Sequence, residues 1–411
     1  MAIIKARDEV LKKVVLCDHC LGRLFSLAYK GNPVEKVGAA VRAAKSDEDV
    51  QKNLSKKLEI SEDKKCVVCG GVFLKKEKFE KLLFEKSKEF EFSTFLVGSK
   101  FDESVTLTEE AMWEIAGAEF AEPIKREINR TFGKWLEEKT KKTVDFDSPD
   151  IMFVLDYENG KVDAQVRSSY IYGRYRKLVR GIPQTKWPCR ECHGKGCKHC
   201  NGKGKMYDES VEEIIAEKLI PMFSAEGSSF HGKGREDIDA LMLGTGRPFV
   251  IEMVNPRKRE IDLAKAEKIV NKNAKGKVEV SGLRFSSKEE IIAIKASEDD
   301  KVYECIIKCD GINADDLKLI EKTFKDVKLK QRTPTRVAHR RADKVRDKFI
   351  YSVKAELIDG SSFKAVIRAS SGTYIKELIS SDCTRTKPSF SELINKPCVC
   401  ESLNVVEVLG E

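Results

Sequence analysis

Two kinds of residue in this chain are spaced for chemistry. The first is a carboxylate on a turn: the run FHGKGREDIDALMLGTGRPFVIE, from Phe230 to Glu252, sets Asp237 within Gly-Arg-Glu-Asp, follows it with a glycine-rich loop and passes into a short apolar strand. A carboxylate held on a rigid loop can serve as a nucleophile or a general base. Asp239 is the weaker candidate for the same work, and a charged surface turn is the plain alternative for the whole run. The second kind is cysteine. Of 13 cysteines, Cys17 with Cys20, Cys66 with Cys69, Cys189 with Cys192 and Cys197 with Cys200 form CxxC pairs. Two such knuckles can close a tetrahedral sulfur site, and glycines around the second set allow its tight turns. Zinc suits both sets, as two structural sites, although four cysteines can also hold an iron–sulfur cluster. His19 is expected to point away from the first set, while His193 and His199 are spare ligands at the second. The remaining cysteines have no ligand spacing and read as core.

Positioning these groups takes a chain of mixed α+β character, long enough at 411 residues for two or three domains. The run from Phe73 to Phe92 has apolar residues at helical spacing. Strands are predicted at Ser93 to Val97, Ser104 to Leu107 and Asp150 to Asp156, with a helix from Phe120 to Lys139 between the last two. After the aspartate loop, helices at Asp262 to Asn271, Lys288 to Ala296 and Ala314 to Phe324 alternate with strands at Lys277 to Val280, Lys301 to Ile307 and Val327 to Gln331. Two further strands follow at Phe349 to Leu357 and Phe363 to Ala369.

Basic stretches frame the aspartate. Arg167 to Lys186 carries six basic residues and no acidic ones, among them Arg174, Arg176, Lys177 and Arg180, interleaved with Tyr170, Tyr172 and Tyr175. Such side chains can neutralise phosphates and stack on unpaired bases, or form a strand with a solvated basic face. Arg336 to Lys348 reads by default as a solvated helix face. A net charge of +9 permits a polyanionic partner without requiring one. No apolar run reaches membrane-span length, the N-terminus lacks a signal-peptide core, and CxxC pairs of metal type suit a reducing cytoplasm.

Taken in order, the CDHCLGR, YGRYRKLVRGIPQ, GREDIDALMLGTGRPFVIE, KVY, HRR, GTYIK and TRTKP segments resemble those of the archaeal-type tRNA pseudouridine synthases known as the Pus-ten family. The resemblance covers nearly the whole chain. It implies a zinc-binding accessory domain with a THUMP-like RNA-binding unit at 1–169 and a pseudouridine synthase catalytic domain, with a mixed and largely antiparallel sheet, at 170–411. The four-cysteine stretch 189–200 is then an insert. By this match Asp237 is the essential aspartate, Tyr303 stacks on the target base, and Lys376 pairs with the aspartate. Arg336, His339, Arg340, Arg341, Tyr374 and Lys387 become candidates for contact with RNA. Leu241 is the one departure, standing where a basic residue is expected. The implied reaction converts uridines 54 and 55 of the tRNA T-arm to pseudouridine, without an organic cofactor, a membrane or an obligate protein partner. A non-catalytic zinc-ribbon tRNA-binding or RNA chaperone protein is the rival reading; it predicts RNA affinity without isomerisation. Neither a dinucleotide-binding glycine loop nor a P-loop is present to support other cofactor chemistry.

Overall fold

The computed structural model describes residues 3–62 and 65–410, apart from the side chain of Arg340. These residues divide into two units, one running to Arg167 and also taking in Asn255–Arg259, the other holding the remainder from Ser168. A single boundary near Ser169 is therefore not the whole division. Within the first unit the amide of Glu91 donates to the carbonyl of Arg257 (2.8 Å), and Arg259 donates to the carbonyl of Asp150 (2.9 Å).

The first unit opens with helices Ile3–Leu11, Asp18–Arg23, Val34–Ala43 and Asp47–Leu54. The second and third approach so closely that a Cβ at Gly22 would lie 1.9 Å from the Val34 carbonyl oxygen, and one at Gly38 would lie 1.8 Å from that of Asp18. Only glycine fits at either position. Helix Lys76–Ser87 buries Phe79 and Leu83, as the amphipathic pattern predicts. Strands β1 (Thr94–Lys100), β2 (Thr143–Val144), β3 (Ile151–Asp156) and β4 (Lys161–Val166) form a sheet in the order β2-β1-β3-β4, with only the β3–β4 pair antiparallel. Helix Ile124–Thr140 lies against β1 and buries Ile128, Phe132 and Leu136 one turn apart.

One expectation fails here: Ser104 to Leu107 lies in helix Glu103–Ala116, not in a strand. The Asp102 carboxylate accepts the amide of Ser104 at 3.0 Å. A satisfied N-cap opening a long helix outweighs the β preference of a short Val-Thr-Leu run.

The second unit is built on strands β5 (Ser169–Lys177), β6 (Gly227–Gly232), β7 (Leu241–Val254), β8 (Val278–Ser286), β9 (Lys301–Lys308), β10 (Val327–Arg332), β11 (Val345–Asp359), β12 (Ser362–Ala369), β13 (Thr386–Lys387) and β14 (Val399–Val408). They run β13-β10-β11-β12-β9-β14-β7-β5-β8, with β6 added on β7. All pairs are antiparallel except β14–β7, where Asn404 faces Leu241 and Val405 faces Met242. Strand β7 thus begins on β14 and continues between β5 and β6. The loop that precedes it, carrying the Gly-Arg-Glu-Asp turn, joins β6 to β7.

Helices Val211–Phe223 and Leu263–Asn273 close one face, burying Ile215, Leu219, Phe223, Ala266 and Val270 in a core shared with Phe249 and Ile251 of β7. Ser210 caps the first of these helices, its side chain accepting from the amide of Glu213. The basic stretch from Arg336 is not a helix through Lys348. It forms a single 3-10 turn, Thr335–Arg340, and enters β11 at Val345, because six ladder pairs from Val327 to Arg332 hold that end of β11 in the sheet.

Candidate active site

The Gly-Arg-Glu-Asp turn is held from beneath. Lys177, at the end of β5, is fully buried and donates to the carbonyls of Ile182 (3.0 Å), Asp237 (3.1 Å) and Ile238 (3.2 Å). Burial lowers its pKa from the ordinary lysine value. Glu236 turns inward, accepting from the Tyr175 hydroxyl (2.8 Å) and from Nε of the buried Arg247 (2.9 Å). Arg247 also donates to the Lys233 carbonyl (2.8 Å), and Gln184 bonds both the Tyr175 hydroxyl (2.8 Å) and the Gly234 carbonyl (2.9 Å). These bonds fix the loop backbone and leave Asp237 facing the other way.

Lys177 was expected to contact phosphate; zero exposure rules that out, and its work is structural. Lys177→Met should take one donor from each of three carbonyls, two of which keep the amides of Ala240 and Gly181, and remove a cation 3.9 Å from Glu236, costing about 3 kcal/mol. Urea denaturation checks this, and an unchanged midpoint would overturn it.

Asp237 opens onto a pocket of about 270 Å³, lined by Tyr303, Arg336, Arg341, Tyr374, Lys376, Lys301 and Arg235 among others. This is just under the range of about 300–1,000 Å³ common for small-molecule sites. The Asp237 Oδ2 atom lies 3.1 Å from Nη1 of Arg336 and 3.8 Å from Nζ of Lys376. Lys376 makes its short bond elsewhere, to Oδ2 of Asp239 at 2.6 Å. Arg336 is anchored from behind by the buried Glu377, Nε to Oε1 at 2.7 Å. Lys376 lies within ion-pair distance of Asp237, but the nearer cation is Arg336, because Glu377, next to Lys376 in sequence, draws the guanidinium into the pocket. Burial works against the charge on Arg336, yet Glu377 and Asp237 together raise its pKa above the ordinary value. Burial would likewise raise Asp239, but the Lys376 hydrogen bond outweighs it and holds that carboxyl low.

Tyr303, on β9, is 8 % exposed, and burial pushes its hydroxyl up to about 12. Two residues earlier on the same face, Lys301 is pulled down to about 8 by burial and by Arg247. At the pocket rim Arg341 donates to the Tyr374 hydroxyl at 2.9 Å.

The other basic residues singled out from sequence are mostly engaged with protein. Arg174 grips the carbonyls of Thr245 (2.9 Å) and Gly246 (3.0 Å), and Arg176 pairs with Glu279 on β8. Arg180 donates to the carbonyls of Asp239 and Leu403 and to the Asn404 side chain, tying the loop after Asp237 to β14. His339 and Lys387 are exposed, the latter 3.6 Å from Glu392. The side chain of Arg340 lies outside the described residues.

Both cysteine sets converge. The sulfurs of Cys17, Cys20, Cys66 and Cys69 lie within 4.8 Å of one another, as do those of Cys189, Cys192, Cys197 and Cys200. The Cys17–Cys69 distance is 3.7 Å, and the Cys189–Cys197, Cys192–Cys200 and Cys197–Cys200 distances are 3.8 Å. A tetrahedron with metal–sulfur bonds of about 2.3 Å has an edge of about 3.8 Å. Amides of Gly196 (3.1 Å), Cys197 (3.2 Å) and Gly204 (3.1 Å) donate to sulfurs of the second set, and Arg23 donates to Cys20 (3.3 Å), the kind of support thiolate ligands require. Both sets can hold a metal ion, and zinc is compatible with each. His19 is not one of these ligands; its ring stacks on Phe73 at 3.8 Å and its Nδ1 lies 2.7 Å from Glu127.

A family model described as "Pus10, C-terminal" matches residues 170–409, and one described as "Pus10 THUMP domain, archaeal" matches 79–156. The chain belongs to the Pus10 family. Relatives named tRNA pseudouridine synthase Pus10 match over nearly their full lengths. That of Pyrococcus furiosus is 41 % identical over 100 % of this chain and 99 % of its own. The corresponding figures are 40 %, 97 % and 93 % for Methanocaldococcus jannaschii, and 39 %, 96 % and 94 % for Halorubrum lacusprofundi. As a Pus10 protein the chain is a pseudouridine synthase, an isomerase, with a THUMP domain in its first unit. The rival reading as a non-catalytic RNA-binding module gives way to this membership.

Sequence reasoning missed the buried set Tyr175, Lys177, Glu236 and Arg247, and the place of Arg336 on Asp237. Glu236 and Arg247 were both visible in the GRED and GRPF segments. Their pairing across eleven residues was not, since a charged residue in a loop is ordinarily solvated.

Proposed function

We propose that this chain isomerises uridines 54 and 55 in the T-arm of tRNA to pseudouridine, with Asp237 as the catalytic carboxylate. The observation that carries this reading is the convergence on one pocket of Asp237, its Arg336 and Lys376 cations and the buried ring of Tyr303. The tRNA substrate is supported by the names of the full-length relatives, and the T-arm positions by the resemblance of the ordered motifs.

The reaction breaks the uridine N-glycosidic bond, turns the detached base and rejoins it through ring carbon 5. Asp237 acts in its ionised form, whether it attacks the anomeric carbon or removes a proton from the neighbouring ribose carbon. Arg336 neutralises and orients that carboxylate. Tyr303 offers a flat, buried ring on which the base can lie, with its hydroxyl protonated at neutral pH. The target nucleotide must leave its stack to enter so small a pocket, and Arg341 and Tyr374 at the rim are placed to meet the flanking backbone and base. Unmodified tRNA transcript incubated with the protein, then mapped by position, tests the assignment; pseudouridine elsewhere, or none, would overturn it.

The metal in both cysteine sets is zinc on this reading, and its role is structural. Purified protein should contain about two zinc ions per chain, and Cys17→Ser should lose one and lower the stability of the first unit, because thiolate coordination contributes directly to folding. Elemental analysis finding no zinc, or iron in its place, would overturn this. Metal-type thiol clusters call for a reducing compartment, which supports the cytoplasm as the site of action. No helix among the described residues is long and apolar enough to cross a membrane.

A further inference from the structure

Rejoining the nucleobase through ring carbon 5 leaves one proton to be moved. That carbon still carries its hydrogen, while nitrogen 1, freed from the sugar, lacks one. As the proton leaves, the electron pair of the C–H bond forms the double bond between carbons 5 and 6, and the pair from the bond between carbon 6 and nitrogen 1 passes to the nitrogen, which takes up a proton. No oxidant, reductant or further reactant is involved. The step needs only a group in the pocket that can accept a proton from carbon.

Most groups there are committed elsewhere. Asp237 serves the ribose, and the guanidiniums of Arg235, Arg336 and Arg341 stay protonated in a protein. Lys376 has its ammonium on the Asp239 carboxylate at 2.6 Å, and the oxygens of Glu236 already accept from Tyr175 and Arg247. Burial pushes the Tyr303 hydroxyl up to about 12, so it is a donor at neutral pH. The Tyr374 hydroxyl accepts from Arg341 at the rim.

Lys301 differs from all of these. It stands two residues before Tyr303 on the buried face of β9, so the two side chains rise next to each other, and Lys301 is 8 % exposed. Its stem passes the Gly-Arg-Glu-Asp turn, where a Cβ at Gly234 would lie 4.0 Å from the lysine Cε. Nζ donates to the Asp299 carbonyl at 2.8 Å, and among the described residues it has no ion pair. The two carboxylates beside it belong to other partners: Asp299 to Lys233 at 2.7 Å, and Asp300 to the Tyr351 hydroxyl (2.9 Å) and Arg368 (3.1 Å). Burial, then Arg247 and Lys233, bring the Lys301 amine down to about 8 against the pull of Asp299 and Asp300. In its neutral form the amine keeps one N–H on the Asp299 carbonyl and has its lone pair left for the pocket.

We propose that Lys301 is a catalytic residue, the group that takes the proton from ring carbon 5 once the nucleobase has been rejoined and returns one to nitrogen 1. The inference rests on the reading of Asp237 as the carboxylate of a uridine isomerisation. With the nucleobase lying on Tyr303, a side chain one step along the same face of β9 stands beside its edge. The amine becomes an ammonium on accepting the carbon 5 proton and is restored when it gives a proton to nitrogen 1, so it ends each turnover as it began.

The test compares the parent protein with Lys301→Met and Lys301→Arg in single-turnover conversion of tRNA transcript, made with hydrogen or with deuterium at uridine carbon 5, across a pH series. Lys301→Met should slow conversion by about a hundredfold. Lys301→Arg keeps the positive charge but cannot take up a proton, so it should be nearly as slow; a structural or purely electrostatic role predicts recovery instead. Loss of the carbon 5 proton then becomes the slow step, and deuterium should slow both variants more than it slows the parent. In the parent the rate should rise with pH through about 8, because the neutral amine is the active form, and both variants should lose that rise. Urea midpoints report folding, and the deuterium and pH effects are ratios within one protein, so they hold for whatever fraction is folded. Full activity in Lys301→Met, recovery in Lys301→Arg, or an equal deuterium effect in all three proteins would overturn the proposal. Failure of the functional reading shows separately, as absence of pseudouridine in tRNA treated with the parent protein.

Discussion

Asp237→Asn should abolish pseudouridine formation, by at least about a thousandfold, while leaving the fold and tRNA affinity nearly intact. The amide keeps the size of the carboxylate and can still accept a hydrogen bond from Arg336, 3.1 Å away. The loop backbone will hold because its bonds come from Lys177 and from the inward-facing Glu236, neither of which touches the Asp237 side chain. What the amide lacks is a charge to attack carbon or to take a proton. Asp239→Asn should lower the rate far less, by under about tenfold: its carboxylate is largely exposed and serves Lys376, at 2.6 Å. The assay is tritium release from tRNA labelled at uridine carbon 5, with binding measured in parallel. Full activity in Asp237→Asn would sink the catalytic assignment, and loss only in Asp239→Asn would move it by two residues.

Arg336→Met should cost about ten- to a hundredfold in kcat and should exceed the effect of Lys376→Met. The arginine is the cation nearest Asp237, and it also answers the buried carboxylate of Glu377 at 2.7 Å. Removing it leaves Glu377 buried without its partner, so stability should fall as well. Arg336→Lys separates the two effects. A lysine restores one positive charge but cannot fork between two carboxylates, so stability should recover more fully than turnover. Single-turnover rates and urea midpoints on the three variants decide it. If Lys376→Met proves the more damaging, the cation that serves Asp237 is the lysine, and the arrangement with Asp239 rearranges when RNA binds.

Much of this was legible in the residues themselves. Four CxxC pairs announce sulfur sites because the bite of each knuckle is local, and the alternation around Tyr303 announces a strand because strand periodicity is local too. The same holds for the amphipathic helix at Lys76–Ser87 and for Asp237 as the carboxylate of a glycine-bounded turn. The failures share a cause. Ser104 to Leu107 carries strand-forming residues, but the cap at Asp102 and the packing of a fourteen-residue helix decided the outcome. Lys177 sits in a run of basic residues that looks like a phosphate surface, and only the register of β5 against β7 and β8 shows that it points under the aspartate loop, where three carbonyls replace water. Arg336 and Asp237 are ninety-nine residues apart, and their ion pair exists because Glu377, on a third segment, fixes the guanidinium. Sequence alone determined which groups are present, since side-chain chemistry and short-range periodicity travel with the chain. Which cation meets which carboxylate was decided only by the tertiary structure, because charge pairing depends on distances of a few ångströms between segments that the sheet brings together.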